Sequence, residues 1–451
     1  MAESLIDKAL QSANDTQQIV LGTDVLGETG RVFTELFGAD ATAIVVADRN
    51  TYAVAGEQVQ ASLQAAGVGQ AEPYIFPGSP TLYAGYDNVA LLRDHLAGVE
   101  AIAVSVAAGT LNDVTKLASS ELGRQYMNVA TAASMDGYAA YGSSITKDGF
   151  KQTINCPAPA GLIADLPVMA AAPARLTATG YGDLIEKLTA GADWILSDEL
   201  GIEAIDRDVW TLVQGPLRDS LADPQGLVDG DLDVTGKLAE GLMMSGLAMQ
   251  AYQSSRPASG AGHQFSHLWE MEKLGMAEDP PLSHGFKVGL GTVSIAALFE
   301  VVLRKDLTAL DVDAAVAAWP SAEEMEARVR AAHGGEVVEP AVTQSMAKYI
   351  DAAQLRERLE QVRTLWPQLA PKLQAQLLPA ADIQQRLATV GAISHPAQIG
   401  LDMDRFRQTY DRAQMIRSRY TVLDLLLESN LLEECVAELF APDGFWGAQS
   451  W

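Results

Sequence analysis

Residues 101–119, "AIAVSVAAGTLNDVTKLAS", place a short apolar run directly before a turn of small residues and a helical pattern. A strand, a small turn and a helix in this order form the repeating unit of a parallel α/β sheet. A turn this bare lets a phosphate approach the amide groups at the helix start, where the helix dipole favours anions. Units of this kind without a ligand are also common, so the turn alone leaves both interpretations open.

The same alternation extends on both sides of that unit. Apolar runs at 41–48, 74–78, 126–131 and 161–166 alternate with helical patterns, of which 86–98 and 111–123 are the clearest. After residue 166 the strands largely vanish and helical periodicity takes over. We therefore predict an α/β domain with a parallel sheet over residues 1–166, followed by an all-α domain over residues 167–451.

The net charge of the chain limits which kinds of binding partner are expected. The chain of 451 residues has 58 acidic and 31 basic side chains, a formal net charge of −27. Such a charge repels nucleic acid and anionic membranes at long range, whereas screening beyond roughly 8 Å lets a local basic pocket bind a small anion. We expect no nucleic-acid partner and a small-molecule substrate.

Cysteine content and hydropathy indicate the cellular compartment of the protein. The two cysteines, Cys156 and Cys435, provide neither a disulfide framework nor a thiolate zinc site, which agrees with a reducing compartment. The first residues lack the basic and then apolar pattern of a secretory signal. The most apolar stretch, residues 288–303, is interrupted by Glu300 and is shorter than the roughly 20 residues that span a bilayer. We expect a cytoplasmic protein without membrane insertion.

Polar side chains follow one of the predicted strands. In "NVATAASMDGYAAYGSS", residues 128–144, the strand is followed by Thr131, Ser134 and Asp136. Ligands of open α/β sheets gather at the carboxyl ends of the strands. Asp136 either caps a local turn or holds the hydroxyls of a ligand, and the sequence leaves both roles open.

Half of the histidines are crowded into one segment. His263, His267 and His284 are three of the six in the chain, and the first two share a helical face because they are four residues apart. Asp183 follows two glycines near a predicted helix start, where an acid is often only an N-cap that stabilises by roughly 1 kcal/mol. Three histidines with an available aspartate favour a catalytic metal site over isolated structural histidines.

Several motifs, in order, resemble those of the bacterial-type sn-glycerol-1-phosphate dehydrogenases. They are "PTLYAGYDNVALL", "AAGTLNDVTKLAS", "TAASMDGYAAYGSSI", "GLIADLPVMAAAPARLTATGYGDLIEKLTAGADW", "ASGAGHQFSH", "HGFKVGLGT" and "IRSRYTVLDLL". The wider group contains glycerol dehydrogenase, iron-type alcohol dehydrogenases and dehydroquinate synthase. The resemblance covers about residues 40–300, with a last match near 416–426. It implies that the α/β domain binds a dinucleotide and that the helical domain binds metal and substrate.

The resemblance also implies a metal site. Its ligands are Asp183, His263 and His284, which would hold one divalent ion (Zn, Ni or Fe). Three protein ligands leave a coordination position open, as in catalytic rather than structural sites. His267 is similar to a second histidine near the metal, and Asp136 resembles the residue that holds the hydroxyls of the substrate. Both are expected to act in catalysis.

The implied cofactor is NAD(H) or NADP(H). Its expected contacts are, in chain order, Asp48, Gly109, Thr110, Asp113, Thr131 and Ser134, with Asp48 accepting the ribose hydroxyls. The chain departs from the family at Ala107 and Ala108, because the family usually has glycine at the first position of this turn. A left-handed backbone there would cost alanine roughly 1–2 kcal/mol.

The expected reaction is the metal-dependent, NAD(P)H-linked reduction of dihydroxyacetone phosphate to sn-glycerol 1-phosphate, in a homodimer or larger homo-oligomer. One alternative is a dehydrogenase of an unphosphorylated polyol such as glycerol. Another is a non-catalytic nucleotide-binding relative. The reductase of dihydroxyacetone phosphate would need a phosphate-binding pocket, whereas the polyol dehydrogenase would not. Lys147 and Lys151 are the candidates for that pocket. They could equally be ordinary solvated lysines of a loop.

Overall fold

The computed structural model describes residues 5–147 and 150–450, without the side chains of Phe150 and Lys151. Its strands are β1 (Gln18–Gly22), β2 (Thr42–Asp48), β3 (Gly69–Gln70), β4 (Tyr74–Phe76), β5 (Ile102–Ala107), β6 (Tyr126–Ala130), β7 (Ser143–Lys147), β8 (Phe150–Ile154) and β9 (Gly161–Asp165). The helices up to β9 are α1 (Leu5–Leu10), α2 (Thr29–Phe37), α3 (Arg49–Thr51), α4 (Glu57–Ala65), α5 (Tyr86–Ala97) and α6 (Gly109–Glu121).

The chain after β9 is helical. Its helices are α7 (Leu166–Ala170), α8 (Ala174–Ile185), α9 (Lys187–Glu199), α10 (Arg207–Ser220), α11 (Pro224–Asp229), α12 (Leu232–Tyr252), α13 (Ala261–Met271), α14 (His284–Leu303), α15 (Val312–Ala318), α16 (Ala322–Ala332), α17 (Val338–Ala347), α18 (Ala352–Gln376), α19 (Ala380–Thr389), α20 (Met403–Gln414), α21 (Val422–Glu428) and α22 (Leu432–Leu439). The predicted fold class, a parallel α/β part followed by a helical part, is confirmed. The division into two domains near residue 166 stays a prediction.

The sheet has the strand order β1-β9-β6-β5-β2-β3, with β4 also paired to β2, and each of these pairings is parallel. Strands β5, β6 and β9 are buried almost throughout, as expected for a parallel sheet covered on both faces. Because β2, β5 and β6 are neighbours and point the same way, their carboxyl ends share one edge. The residues that follow these three strands therefore lie side by side.

All five strands quoted from the sequence between residues 41 and 166 are present. The sequence did not predict β1, the two-residue β3, or the antiparallel hairpin of β7 and β8. Strand β7, "SSITK", is mostly polar, and β3 is too short to produce a periodic pattern.

The most apolar helix lies inside the protein. Among the described residues, α14 is the one helix long and apolar enough to cross a membrane, and 89% of its apolar window is buried in the fold. Such burial is that of a core helix. Its first residue, His284, is only partly buried, so the helix begins at the edge of the core and runs inward.

Glycines allow α14 to approach its neighbours closely. A Cβ atom at Gly291 of α14 would overlap the carbonyl oxygen of Gly262 in α13, and one at Gly182 of α8 would overlap that of Gly285 in α14. The three helices therefore meet at nearly direct backbone contact. These are the helices that carry Asp183, His263 and His284, so their separation is fixed by packing.

We predict that Gly291→Ala lowers the free energy of unfolding by about 1–3 kcal/mol, because the helices must separate to admit a methyl group. The matched control is Gly236→Ala in α12, where the new Cβ would meet only the side chain of Leu166, 3.4 Å away. That change should be neutral or slightly stabilising. Urea unfolding at equal metal content measures both, and an unchanged midpoint for Gly291→Ala would contradict the packing argument.

Candidate functional site

Three side chains from separate helices converge on one point. One ligand atom each from Asp183, His263 and His284 lies within 4.8 Å of the other two. Asp183 and His263 are buried, whereas the side chain of His284 is 30% exposed. One carboxylate oxygen and two imidazole nitrogens suit Zn²⁺, Ni²⁺ or Fe²⁺. The donor set fits a single divalent ion that is accessible from one side.

A buried carboxylate lies next to the Nδ1 atom of each of the two histidines, His263 and His284. Glu270 Oε1 lies 2.9 Å from His284 Nδ1, and Glu186 Oε2 lies 3.0 Å from His263 Nδ1. The Glu186 pair is close but not aligned as a hydrogen bond in the present ring orientation. A carboxylate at Nδ1 leaves Nε2 of each ring for a metal and fixes the ring plane, as outer-shell partners of metal sites do.

The electrostatics of the site keep its ligands in the forms that bind metal. Burial and the Lys187 ammonium lower the pKa of His263 to about 3, so its imidazole is neutral at neutral pH. Burial alone would raise the pKa of Asp183, but Lys187, His263 and His284 together outweigh it and hold that pKa well below its usual value. Burial raises the pKa of Glu186 to about 8. Asp183 is therefore the anionic ligand, and Glu186 can retain a proton.

A buried lysine joins the metal ligand to the loop after β6. Lys187 Nζ donates to Asp183 Oδ1 at 2.9 Å and lies 2.8 Å from Asp136 Oδ2. The backbone N–H of Asp136 donates to Asp183 Oδ2 at 3.0 Å, and Ser245 Oγ donates to Asp136 Oδ2 at 2.9 Å. Asp136 is thus not a simple turn cap, because its carboxylate belongs to the same cluster as the metal ligand.

Sequence reasoning missed Lys187, Glu186 and Glu270. Lys187 is four residues after Asp183, a spacing that places the two side chains on one helical face. Burial would lower the pKa of Lys187, but Asp136, Asp183 and Glu186 together outweigh it and raise the pKa above its usual value. The spacing was therefore a usable signal, whereas nothing in the sequence distinguished the two glutamates from solvated ones.

His267 lies beside this centre without joining the three-ligand group. Its Nδ1 is 3.6 Å from Glu270 Oε2, and its ring centroid is 5.9 Å from that of His263 and 5.6 Å from that of His284. Burial and the nearby Arg417 lower the pKa of His267 well below its usual value, so this ring is also neutral. Glu270 therefore connects His267 to His284.

The residues predicted to bind a cofactor occupy the shared carboxyl edge of the sheet. Gly109 and Thr110 begin α6 directly after β5, and Thr131 follows β6, with its N–H donating to the carbonyl of Ala107 at 3.1 Å. Asp48 ends β2 and accepts from the N–H groups of Asn50 and Thr51 at 2.8 and 2.9 Å. This arrangement fits a dinucleotide lying across the strand ends.

The helix after the small turn is tied to the loop of Asp136. Asp113 Oδ2 accepts from the N–H of Ser144 at 3.3 Å, and Ser134 Oγ lies 2.9 Å from the hydroxyl of Tyr138. Lys116 is buried and donates to three loop carbonyls, those of Gly137, Ala140 and Gly142. Lys116 therefore fixes the conformation of this loop. Contacts of Asp113, Thr131 and Ser134 with a cofactor stay predictions.

The alanines of the turn are not strained. Ala108 has φ −80° and ψ −177°, an ordinary extended conformation, and Ala107 is the last residue of β5. Neither residue is among those with positive φ. The free-energy cost of a left-handed conformation, expected if alanine had to adopt one in this turn, therefore does not arise.

The two lysines considered for phosphate binding belong to the hairpin of β7 and β8. Lys147 Nζ sits 3.9 Å from the ring centroid of Tyr86, as in a cation–π contact. The side chain of Lys151 lies outside the described residues. Strand β8 packs against α13, so the hairpin is near the helix of His263, but phosphate binding by either lysine stays a prediction.

Comparison with known proteins shows which family this chain resembles. Residues 20–173 match the family described as iron-containing alcohol dehydrogenase. A glycerol-1-phosphate dehydrogenase (NAD(P)+) of Halalkalibacterium halodurans is 36% identical over 58% of this chain and 66% of that protein. A protein of the same name from Haloarcula marismortui is 32% identical over 68% of this chain and 85% of that protein. The chain thus spans just under two thirds of the first relative.

The solved structure of glycerol dehydrogenase from Schizosaccharomyces pombe has the same fold. It superposes with a TM-score of 0.59 at 16% identity, covering 94% of this chain and 90% of the other. The parallel sheet followed by the helical part is the fold of the glycerol dehydrogenases and iron-containing alcohol dehydrogenases. Within that class, the chain belongs to the glycerol-1-phosphate dehydrogenase family.

We predict that Glu270→Gln lowers affinity for the divalent ion by about 10–100-fold, because His284 loses the carboxylate that orients its ring. Glu272→Gln is the matched control, since Glu272 lies on the same segment but pairs with Arg405 at 2.9 Å, away from the histidines. Titration of metal-free protein with Zn²⁺ measures both variants. Equal affinities would mean that Glu270 does not support the site.

The assignment of three ligands is tested with the two histidines of α13. His263→Ala should lose bound metal, because it removes one of three ligands. His267→Ala should retain metal. Elemental analysis of the purified proteins decides between them, and equal metal loss in both variants would move His267 into the ligand set.

Proposed function

We propose that the protein catalyses the metal-dependent, NAD(P)H-linked reduction of dihydroxyacetone phosphate to sn-glycerol 1-phosphate. The observation that carries the proposal is the buried contact of Lys187 with both Asp183 and Asp136. This contact brings Asp136, from the loop after β6, close to Asp183, one of the three proposed metal ligands. The names of the two relatives support the choice of substrate.

Each part of the site has a separate role in this reaction. Asp183, His263 and His284 would hold the divalent ion, and the strand ends of β2, β5 and β6 would hold the dinucleotide. When bound, these groups supply Lewis acidity at the ketone oxygen and a hydride, respectively. The exposed side of His284 leaves the centre open to a small ketone.

The residues of the chain position the substrate and supply protons. Asp136 Oδ2 is held by Lys187 and Ser245, so the carboxylate has a fixed orientation from which its other oxygen can accept a substrate hydroxyl. His267 is a neutral imidazole 3.6 Å from Glu270 and partly exposed, which suits a proton relay between solvent and the site. Lys187 is a positioning residue, because its contacts are all with protein oxygens.

The alternatives are separated by substrate and ligand set. A dehydrogenase of unphosphorylated polyols would use the same metal and nucleotide sites and would need no phosphate contact. A non-catalytic nucleotide-binding relative would need neither three converging ligands nor the carboxylates behind them. The retained Asp183, His263 and His284 therefore disfavour that second alternative. We also propose a cytoplasmic homo-oligomer, by analogy with the family resemblance of the sequence.

We predict that metal-reconstituted protein reduces dihydroxyacetone phosphate at least about tenfold faster, in kcat/KM, than free dihydroxyacetone. The reason is that a phosphate adds short-range charge contacts, and tenfold corresponds to about 1.4 kcal/mol. NADH oxidation with a panel of ketose phosphates and free ketones measures this, before and after chelation. A preference for free dihydroxyacetone or glycerol would favour the polyol alternative, and full activity in protein shown to be metal-free would exclude the metal role.

We predict a modest preference for NADH over NADPH, because a carboxylate at the end of β2 accepts ribose hydroxyls and repels an added phosphate. Asp48→Ser should shift the ratio of kcat/KM toward NADPH. Arg49 is adjacent and could pair with that phosphate, which limits the size of the effect. A clear preference of the unmodified protein for NADPH would contradict this role of Asp48.

A further inference from the structure

Helix α20 and the segment after it run antiparallel to α13. Trp269 Nε1 near the end of α13 donates to Thr409 Oγ1 at 3.2 Å. Gln264 Nε2, earlier in α13, donates to the carbonyl of Arg419 at 3.5 Å. As the chain advances from 409 to 419, its contacts on α13 move backward from 269 to 264. Arg417 therefore lies beside the part of α13 that carries His267.

The backbone around Arg417 is anchored on both sides. Arg419 Nη1 donates to the carbonyl of Ser259 at 2.8 Å, and its Nη2 donates to Ser255 Oγ at 3.0 Å. The N–H of Val422 donates to the buried carboxylate of Asp193 at 2.8 Å. These contacts hold the segment against the start of α13, so the position of Arg417 relative to the histidines is set by the fold.

The charge of Arg417 is not neutralised by a direct ion pair. Its guanidinium donates to the carbonyl of the preceding Ile416 at 3.3 Å, and no carboxylate lies within ion-pairing distance in the part of the chain that the structure describes. Burial lowers the pKa of Arg417, and the charge of Glu270 offsets this only in part. A partly buried cation without a direct ion pair is unfavourable, and an anionic ligand would relieve that cost.

The neighbouring groups favour a phosphate as that ligand. A guanidinium presents two parallel N–H donors that match phosphate oxygens. His267 lies near Arg417 and its side chain is 21% exposed, and as the Nε2–H tautomer its neutral ring would donate one more hydrogen bond. Lys147, the described lysine of the hairpin, is engaged over the ring of Tyr86. Arg417 is thus the better placed cation for a group that sits next to the metal ligands.

We propose that Arg417, assisted by His267, binds the phosphate group of the substrate and sets the preference for phosphorylated over free ketones. This inference rests on the proposed reaction and adds a specificity-determining residue to it. It assigns that role to the segment after α20 rather than to the hairpin of Lys147 and Lys151. The substrate would then extend from the open side of the metal centre toward the end of α20.

The test compares Arg417→Met and Arg417→Lys with the unmodified, metal-loaded enzyme. Arg417→Met should lower kcat/KM for dihydroxyacetone phosphate by about 10–100-fold, the size expected for lost charge-assisted hydrogen bonds. Its kcat/KM for free dihydroxyacetone should fall by no more than about threefold, since that ketone has no phosphate to hold. Arg417→Lys should recover part of the loss. Calorimetric titration with inorganic phosphate should show weaker binding to Arg417→Met.

The matched control is Arg407→Met, which removes one positive charge from an exposed position on α20. It should behave as the unmodified enzyme with both ketones. Metal content and melting temperature of every variant are measured alongside, so that a folding defect is recognised by equal losses on both substrates. Equal losses on the two ketones in Arg417→Met and Arg417→Lys would overturn the inference.

Two further outcomes separate the inference from the proposed reaction. If the unmodified enzyme prefers dihydroxyacetone phosphate, but Lys147→Met rather than Arg417→Met abolishes that preference, the phosphate is held by the hairpin and the inference is wrong. If the unmodified enzyme does not reduce dihydroxyacetone phosphate, but its binding of inorganic phosphate still depends on Arg417, the anion site stands and the proposed reaction is wrong.

Discussion

The contact on which the site depends is the buried ammonium of Lys187 between two carboxylates. Asp183 belongs to α8 and Asp136 to the loop after β6, so one lysine connects the helical part to the edge of the sheet. Neither acid has another basic side chain of lysine or arginine within ion-pairing distance among the described residues. Removing one partner of a buried pair typically costs about 3–5 kcal/mol, because the other charge remains uncompensated.

The sequence predicted those parts of the fold that local pattern determines. The buried strands β2, β5, β6 and β9 are continuous apolar runs, and they were recognised because both of their faces are covered. The hairpin of β7 and β8 was not recognised because β7 is mostly polar, and β1 was not recognised because its partner is distant in the chain. Strand β1, for example, lies next to β9 although more than a hundred residues separate them.

The sequence identified those residues of the candidate site that residue type and motif are enough to recognise. Asp183, His263 and His284 were brought together as the resemblance implied, and Asp136 joined them. Glu186 and Glu270 could not have been selected, because a glutamate that backs a histidine differs from a solvated one only in its three-dimensional surroundings. Arg417 was missed for the same reason, since its proximity to His267 arises from the antiparallel packing of α20 on α13.

The close packing of α8, α13 and α14 has a consequence for how the protein matures during synthesis. The three helices are separated by many residues, and both glycine contacts between them involve α14, so they form only after α14 has docked. A nascent chain that has emerged up to α13 has a complete sheet but lacks His284, so it offers an incomplete set of donors. Because N-terminal regions fold first on the ribosome, an ion held by all three residues would be captured late, after the sheet has assembled.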